Sequence, residues 1–207
     1  MVAGASPAIS HTIYFIRHGE TDWNAEGRLQ GQRDIPLNDL GRVQAEEAGV
    51  ILQGLCPNPE DLDWWVSPLL RTRETAERAR TAIGLHPTYY KTDDRLKELT
   101  FGRWEGMTWK EVRKSDPAGA TRRERSKWHA VPPDGESYDM LTQRVAGFLP
   151  LITRDTVMVS HGGVARALMV MCGGISKAKA GVANIWQGQV LVFSNGASRW
   201  VKTSSSG

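Results

Sequence analysis

The sequence predicts an α/β protein: a three-layer α/β/α sandwich with a mostly parallel central sheet and a lid inserted at residues 104–135. Three observations carry this expectation. Strand-like and helix-like patterns alternate along the 207 residues, a length that suits one domain, 1–207, with a full-sized core. Short apolar runs at Thr12–Ile16, Trp64–Val66 and Thr156–Ser160 suit central strands covered on both faces. Each of these runs ends abruptly in polar residues, and open α/β sheets place their ligands beyond the carboxyl ends of such strands.

Taken in order, residues 1–11 are small and polar and read as a loose tail. The first strand follows, then a long polar loop from Gly19 to Asn38, of the kind that is functional when ordered. Asn24, Arg28 and Gln30 in that loop are placed to reach back over the strand end. Asn38 is an N-cap for a helix to about Gln53, with Leu40, Val43, Ala48, Ile51, Leu52 and Leu55 as its buried stripe. After Pro57 and Pro59 comes the Trp64–Val66 strand, then a helix from Arg71 to about Ile83, in which Arg73 has Glu74 or Glu77 as ion-pair partners. Thr88–Tyr90 reads as a short strand toward one side of the sheet. Thr108 to Ser115 is a short helix, and Trp104 to Gly135 reads as the lid insertion. Ser137 caps a helix to about Ile152, with Met140, Leu141, Val145, Phe148 and Leu149 on its buried side. The Thr156–Ser160 strand leads through His161 into Gly162-Gly163 and a helix from Val164 to about Met171. Val190–Val201 is a hairpin with an Asn195-Gly196 turn, beside which Val182–Trp186 is a further candidate strand. Lys202 to Gly207 should fray.

Composition narrows the function. Net charge is +3 with a pI near 9.0, too mild to imply nucleic acid. The charge is concentrated: Lys110 to Lys127 holds seven basic and three acidic residues, a net +4. Cys56 and Cys172 are the only cysteines and form no zinc-ligand motif, so a disulfide framework is not expected and a reducing, cytoplasmic setting is the simplest reading. The N-terminus has no basic region followed by an apolar run, and the longest apolar stretch, near Val164–Cys172, is interrupted by Arg166; neither a signal peptide nor a membrane span is expected.

The chemistry concentrates at the strand ends. Arg17 offers a planar fork of donors for an oxyanion, and the adjacent His18 is a nucleophile near neutral pH. Gly19 admits a close backbone approach. Gly162 and Gly163 open a helix, and a helix N-terminus favours an anion. Among the carboxylates from Asp93 onward, Asp93, Asp94, Glu98 and Glu105 are all candidates for a general acid. A carboxyl group beside a phosphate dianion would have the raised pKa that role needs.

Four segments in order resemble the histidine phosphatase (phosphoglycerate mutase-like) superfamily, in its phosphatase branch: Arg17-His18-Gly19-Glu20-Thr21 with Asn24, Ser67-Pro68-Leu69-Leu70-Arg71-Thr72, Leu96-Lys97-Glu98-Leu99, and Ser160-His161-Gly162-Gly163. The resemblance covers nearly the whole chain. It implies that His18 becomes a phosphohistidine, that Glu98 is the acid and then the base, and that Arg17, Asn24, Arg71 and His161 hold the phosphoryl group. Thr21, Gln30 and Gly162 are counted with these substrate-binding residues. It implies a small phosphorylated substrate, with no cofactor, metal, nucleic acid or membrane partner. A dimer through an edge strand is compatible with the sequence. Two other readings stand beside it. One is a phosphoglycerate mutase, favoured by Arg122-Arg123, which resembles a substrate-carboxylate pair of the mutases. Against it, Thr100-Phe101-Gly102-Arg103-Trp104-Glu105-Gly106 looks like the phosphatase branch. The other is a catalytically silent binding module that uses the basic lid.

Overall fold

The structure, a computed structural model, describes residues 10–202. Most of the expected tail and of the frayed C-terminus lies outside them. Among the described residues six strands form one sheet in the order β3-β2-β4-β1-β5-β6. They are β1 (Ile13–Arg17), β2 (Asp63–Val66), β3 (Lys91–Thr92), β4 (Thr156–Ser160), β5 (Val190–Ser194) and β6 (Ala197–Val201). β1 pairs parallel with β4, β4 with β2 and β2 with β3, while β5 and β6 run antiparallel, so the sheet is mostly parallel as expected.

Two-residue periodicity sorts each central strand between two cores. Ile13 and Phe15 of β1 and Met158 of β4 face one layer, with Leu141, Val145, Val164 and Leu168 of α6 (Tyr138–Ala146) and α7 (Gly162–Met171). Ile16, Val157 and Val159 face the other, against Ala48, Leu52, Ala76 and Ala79 of α2 (Asp39–Leu55) and α3 (Leu70–Ala82). The sandwich is therefore three-layered. Arg17 shares the parity of Ile13 and Phe15, which sends it to the α7 side of the sheet.

Helix α2 begins where expected, with the Asn38 side chain accepting from Gly41 N. Ala48, Ile51 and Leu52 of its expected stripe are buried, but Leu40 and Val43 are each 51% exposed, and Gly41, Ala45 and Gly49 are buried instead. The reason is close packing. A Cβ on Gly49 would lie 2.3 Å from the Ala79 carbonyl oxygen, so at this point of the contact the two backbones leave no room for a side chain. On the other layer, Met140 is 47% exposed, and α6 stops at Ala146, short of Pro150 and of the expected Ile152. A separate turn of 3₁₀ helix covers Leu149–Leu151.

Three other local expectations change. The edge strand is Lys91–Thr92, not Thr88–Tyr90. Val182–Trp186 is not a strand; Val182 ends a short helix and the following residues cross the sheet's carboxyl rim. Glu74 pairs with Arg42 and Arg78, not with Arg73, and Glu77 accepts from the Tyr90 hydroxyl.

The 104–135 segment is more helical than expected. α4 (Trp109–Ser115) starts on a capping box of Thr108 and Glu111, and α5 (Pro117–Arg125) follows directly, its N-cap Asp116 also accepting from the Trp104 indole. Trp104, Val112 and Ala120 form a small core with Leu29 of the long loop, joining the two segments. α1 (Asp22–Ala25) and α8 (Lys177–Val182) complete the helices. No helix of the described residues is long and apolar enough to cross a membrane.

Candidate active site

β1 and β4 are adjacent and in register, with Arg17 opposite Ser160. Their next residues, His18 and His161, therefore emerge side by side at the carboxyl rim, with ring centroids 5.2 Å apart. Both rings are buried.

The His18 ring is held in one tautomer. Its Nδ1 lies 2.7 Å from the Gly19 carbonyl oxygen, which can only accept, so Nδ1 carries the proton and Nε2 bears the lone pair. Burial, then the positive charges of Arg71 and Arg17, hold the imidazole pKa well below its usual value. His18 is thus a neutral base or nucleophile at pH 7. Gly19 N in turn donates to the Thr75 hydroxyl, and a Cβ on Gly19 would lie 2.1 Å from the Gly41 carbonyl oxygen. The strand end is clamped between the N-terminus of α2 and α3.

Arg71 is wholly buried at the start of α3. It donates to the carbonyls of Gly31 and Arg33 (2.8 Å each), which pins the long loop, and its Nε has no partner. Arg17 donates to the Ile185 carbonyl at 2.7 Å and also keeps an unpartnered Nε. Burial lowers the pKa of each guanidinium to about 10, so both stay charged at neutral pH. Two fixed cations with spare donors flank the His18 ring, an arrangement suited to a tetrahedral oxyanion.

His161 is the N-cap residue of α7. Its Nε2 lies 2.8 Å from the Ser67 hydroxyl, and its buried Nδ1 is unpartnered. Burial and Arg71 also keep it neutral. Glu98 sits across the same helix end. Its Oε2 accepts from Gly163 N and its Oε1 from Leu99 N, 2.9 Å each. One backbone donor of the α7 terminus is therefore already held by a carboxylate, and Gly162 remains beside the Arg17 guanidinium. Glu98 is brought to the helix end that follows His161; its three rivals are not. Asp93 pairs with Arg95, Asp94 with Lys97, and Glu105 accepts from Thr100, Phe101 and Gln32 to tie two loops together.

The other sequence candidates divide. The Asn24 carboxamide oxygen accepts from Thr21 N and from Gln187, so Asn24 and Thr21 build the capping box of α1 at the pocket wall. Gln30 is buried, with its carboxamide oxygen unpartnered. Arg28 turns away, to Glu26, Glu111 and the Gly106 carbonyl. Arg122 and Arg123 do not face the site as a pair, because neighbours on a helix point in different directions. Arg122 is exposed, whereas Arg123 is 4% exposed and lies over the rings of Phe101 and Tyr138.

Three residues of the assembly lie outside the sequence expectations. Ser67 reaches His161. Gln187 donates to the His18 carbonyl and to Asn24. Arg144 donates to Glu136 and to the carbonyls of Arg95, Lys97 and Glu98, fixing the turn that carries Glu98. Ser67 sits four residues before Arg71 and was visible as part of that motif; Gln187 and Arg144 carry no local signal.

The model of the histidine phosphatase superfamily (branch 1) matches residues 13–204. An acid phosphatase of Mycobacterium tuberculosis is 34% identical over 165 residues, 77% of this chain and 74% of the relative. A metal-independent phosphoserine phosphatase of Arabidopsis thaliana is 34% identical over 163 residues, 75% of this chain and 66% of the relative. The solved structure of Bacillus stearothermophilus YhfR superposes with a TM-score of 0.77 at 27% identity, covering 93% of this chain and 96% of that one. A match over nearly all of the described chain, on the same strand ends that gather His18, His161 and the two arginines, makes this protein a member of the histidine phosphatase superfamily.

Proposed function

We propose that the protein is a phosphatase that hydrolyses small phosphomonoesters through a phosphohistidine, without a metal ion. The observation that supports this most is the His18 ring: neutral, with Nδ1 bound to the Gly19 carbonyl and Nε2 free, between two buried guanidinium groups. In this reading the Nε2 lone pair attacks phosphorus, and the bond to the ester oxygen breaks. Glu98 in its acid form gives that oxygen a proton. The resulting Glu98 carboxylate then takes a proton from water, whose oxygen attacks the phosphoryl group, and the N–P bond returns its electrons to Nε2. Arg17 and Arg71 neutralise the phosphoryl oxygens, the task a divalent cation performs in other phosphatases. That the Arabidopsis thaliana relative is a metal-independent phosphoserine phosphatase supports this reading.

A second reading, a mutase that passes the phosphoryl group to another hydroxyl, has in its favour the inward position of Arg123 beside Glu98's field. It has against it the exposed Arg122. A phosphorus NMR time course in excess EDTA separates the two readings. It uses p-nitrophenyl phosphate and 3-phosphoglycerate with a trace of 2,3-bisphosphoglycerate. Growth of inorganic phosphate is the expected result. Growth of 2-phosphoglycerate instead would favour the mutase. No change, together with no acid-labile phosphoenzyme, would overturn both and leave the silent binding module.

A further inference from the structure

A strap, residues 183–189, crosses the carboxyl rim between α8 and β5. Side chains of other segments fasten it there. Lys127 donates to the Gly181 carbonyl just before it, Arg166 to Ala183 and Arg17 to Ile185. The Ile185 side chain is buried in the α7-side core. The strap leaves the rim at Gly188, whose φ of +68° is the left-handed conformation that favours glycine. A Cβ there would lie 3.0 Å from Glu47 Oε2 of α2. Val190 then enters the core on the α2 side. Gln187 is therefore held from both sides, and its side chain reaches His18 and Asn24.

Donors and acceptors fix the orientation of both carboxamides. The His18 carbonyl oxygen and Asn24 Oδ1 lie 3.1 and 3.2 Å from one atom of Gln187, Nε2. A carbonyl oxygen can only accept, so the group that faces it is the NH2, whose two hydrogens serve the two acceptors. On Asn24 the Thr21 backbone N–H can only donate, so the branch 3.2 Å from it is the oxygen. The same oxygen faces the Thr21 hydroxyl and Gln187, each at 3.2 Å. The Asn24 NH2 is left on the other branch, with no hydrogen-bond partner among the described residues. The peptide that leaves His18 is held at both ends. Gln187 donates to its carbonyl, and its N–H, that of Gly19, donates to the Thr75 hydroxyl. The next carbonyl along, that of Gly19, holds Nδ1 of the His18 ring. The aim of His18 Nε2 thus depends on the peptide that Gln187 fixes.

We propose that Gln187 is a positioning residue of the phosphoryl site. Its one NH2 group fixes the peptide that aims the His18 ring, and it turns the Asn24 carboxamide so that the NH2, not the oxygen, meets the phosphoryl group. An amide oxygen turned toward a phosphoryl oxyanion would repel it, whereas the NH2 donates to it. The inference deepens the phosphatase reading above and rests on it for the roles of His18 and Asn24.

Gln187→Met tests it, since methionine keeps the length of the side chain and removes both donors. Calorimetric titration with inorganic phosphate reads the Asn24 arm, and rapid-quench phosphoenzyme formation from p-nitrophenyl phosphate reads the His18 arm. The expected result is a phosphate Kd weakened about fivefold and a rate of phosphoenzyme formation lowered about tenfold. In the Asn24→Ala protein the same substitution should lower the rate again but leave Kd within about twofold, because the group through which Gln187 acts on binding is gone. A substitution that only loosened the fold would weaken Kd by the same factor in both backgrounds. The wild-type protein gives a reading that needs no variant. By NMR, added phosphate should shift the Asn24 side-chain NH2 signals while the Gln187 side-chain NH2 stays protected from exchange with water. Unchanged Kd and rate in Gln187→Met, an equal loss of Kd in both backgrounds, or Asn24 NH2 signals that bound phosphate does not move would each overturn the proposal. Absence of phosphoenzyme and of turnover on every ester in the wild-type protein would instead be the failure of the phosphatase reading, and the phosphate titrations would still decide the role of Gln187.

Discussion

Replacing Gly163 by alanine tests the role of Glu98 without touching it. A Cβ at this position would lie 2.1 Å from Glu98 Oε1, where ordinary contact begins at 3.4 Å, and 2.7 Å from the Leu99 side chain. The carboxylate is the end of a flexible side chain, so it must retreat by roughly 1 Å, a displacement that can cost about 100-fold in rate. It also leaves the Gly163 N–H that now holds it. The fold should tolerate the change. Alanine favours the helix by about 1 kcal/mol over glycine, which offsets part of the crowding at Leu99 and Leu141. The rate loss should depend on the leaving group. An alkoxide needs a proton as it departs, whereas p-nitrophenolate leaves as a stable anion. Rapid-quench measurement of phosphoenzyme formation should therefore show a loss of about 100-fold for an alkyl phosphate and a much smaller loss for p-nitrophenyl phosphate. Equal losses on both esters, in a variant of unchanged melting temperature, would refute the assignment of Glu98 as the acid. So would no loss on either.

Other consequences follow from the same geometry. His18 and His161 are held neutral by burial and by the arginines, whereas in the unfolded chain each takes up a proton near pH 6.5. The unfolded state binds more protons below that pH, so stability is full above about 6.5. It falls by about 1.4 kcal/mol per pH unit for each histidine as the solution becomes more acidic. Urea unfolding of His161→Gln should show a shallower acid slope than the native chain, and identical slopes would contradict the buried neutral state. Arg144→Met removes a mostly buried ion pair with Glu136 and the donors that hold the Lys97 and Glu98 carbonyls. It should cost about 3 kcal/mol by urea midpoint and slow alkyl-ester turnover; a stability loss with normal turnover would show that Arg144 does not position Glu98. Ser67→Ala strips His161 Nε2 of its partner and should cost about 1–2 kcal/mol and weaken competitive inhibition by inorganic phosphate, measured against p-nitrophenyl phosphate. Trp104→Ala opens the small core between the 104–135 segment and the long loop, with an expected loss of about 3–5 kcal/mol in thermal or urea unfolding.

What the sequence determined by itself was local. Apolar runs of strand length ending in Arg17-His18 and in Ser160-His161 identify central strands, because a strand buried on both faces tolerates nothing else, and ligands collect at their carboxyl ends. Asn38, Thr108 and Ser137 marked helix starts because a capping side chain acts on its own neighbours. Half of the α2 stripe, Ala48, Ile51 and Leu52, was legible; Leu40 and Val43 share its helical spacing, yet the inner face is taken by Gly41, Ala45 and Gly49, and at Gly49 the room is set by Ala79 of the facing helix α3 rather than by α2. The same distinction runs through the site. Composition alone left Glu98 one of four carboxylates and only the resemblance singled it out; the fold supplies the physical reason, the N–H of Gly163, 65 residues along the chain, which holds it at the helix end that follows His161. Arg123 turns in and Arg122 out because α5 packs its inner face on Phe101 and Tyr138. Gln187, Arg144 and the rim carbonyls that meet Lys127, Arg166 and Arg17 act across 17 to 169 residues of chain. Periodicity and capping are written in neighbouring residues. Which charge is buried without a partner, and which side chain holds another in place, depends on what the fold brings against it, and only the tertiary structure decides that.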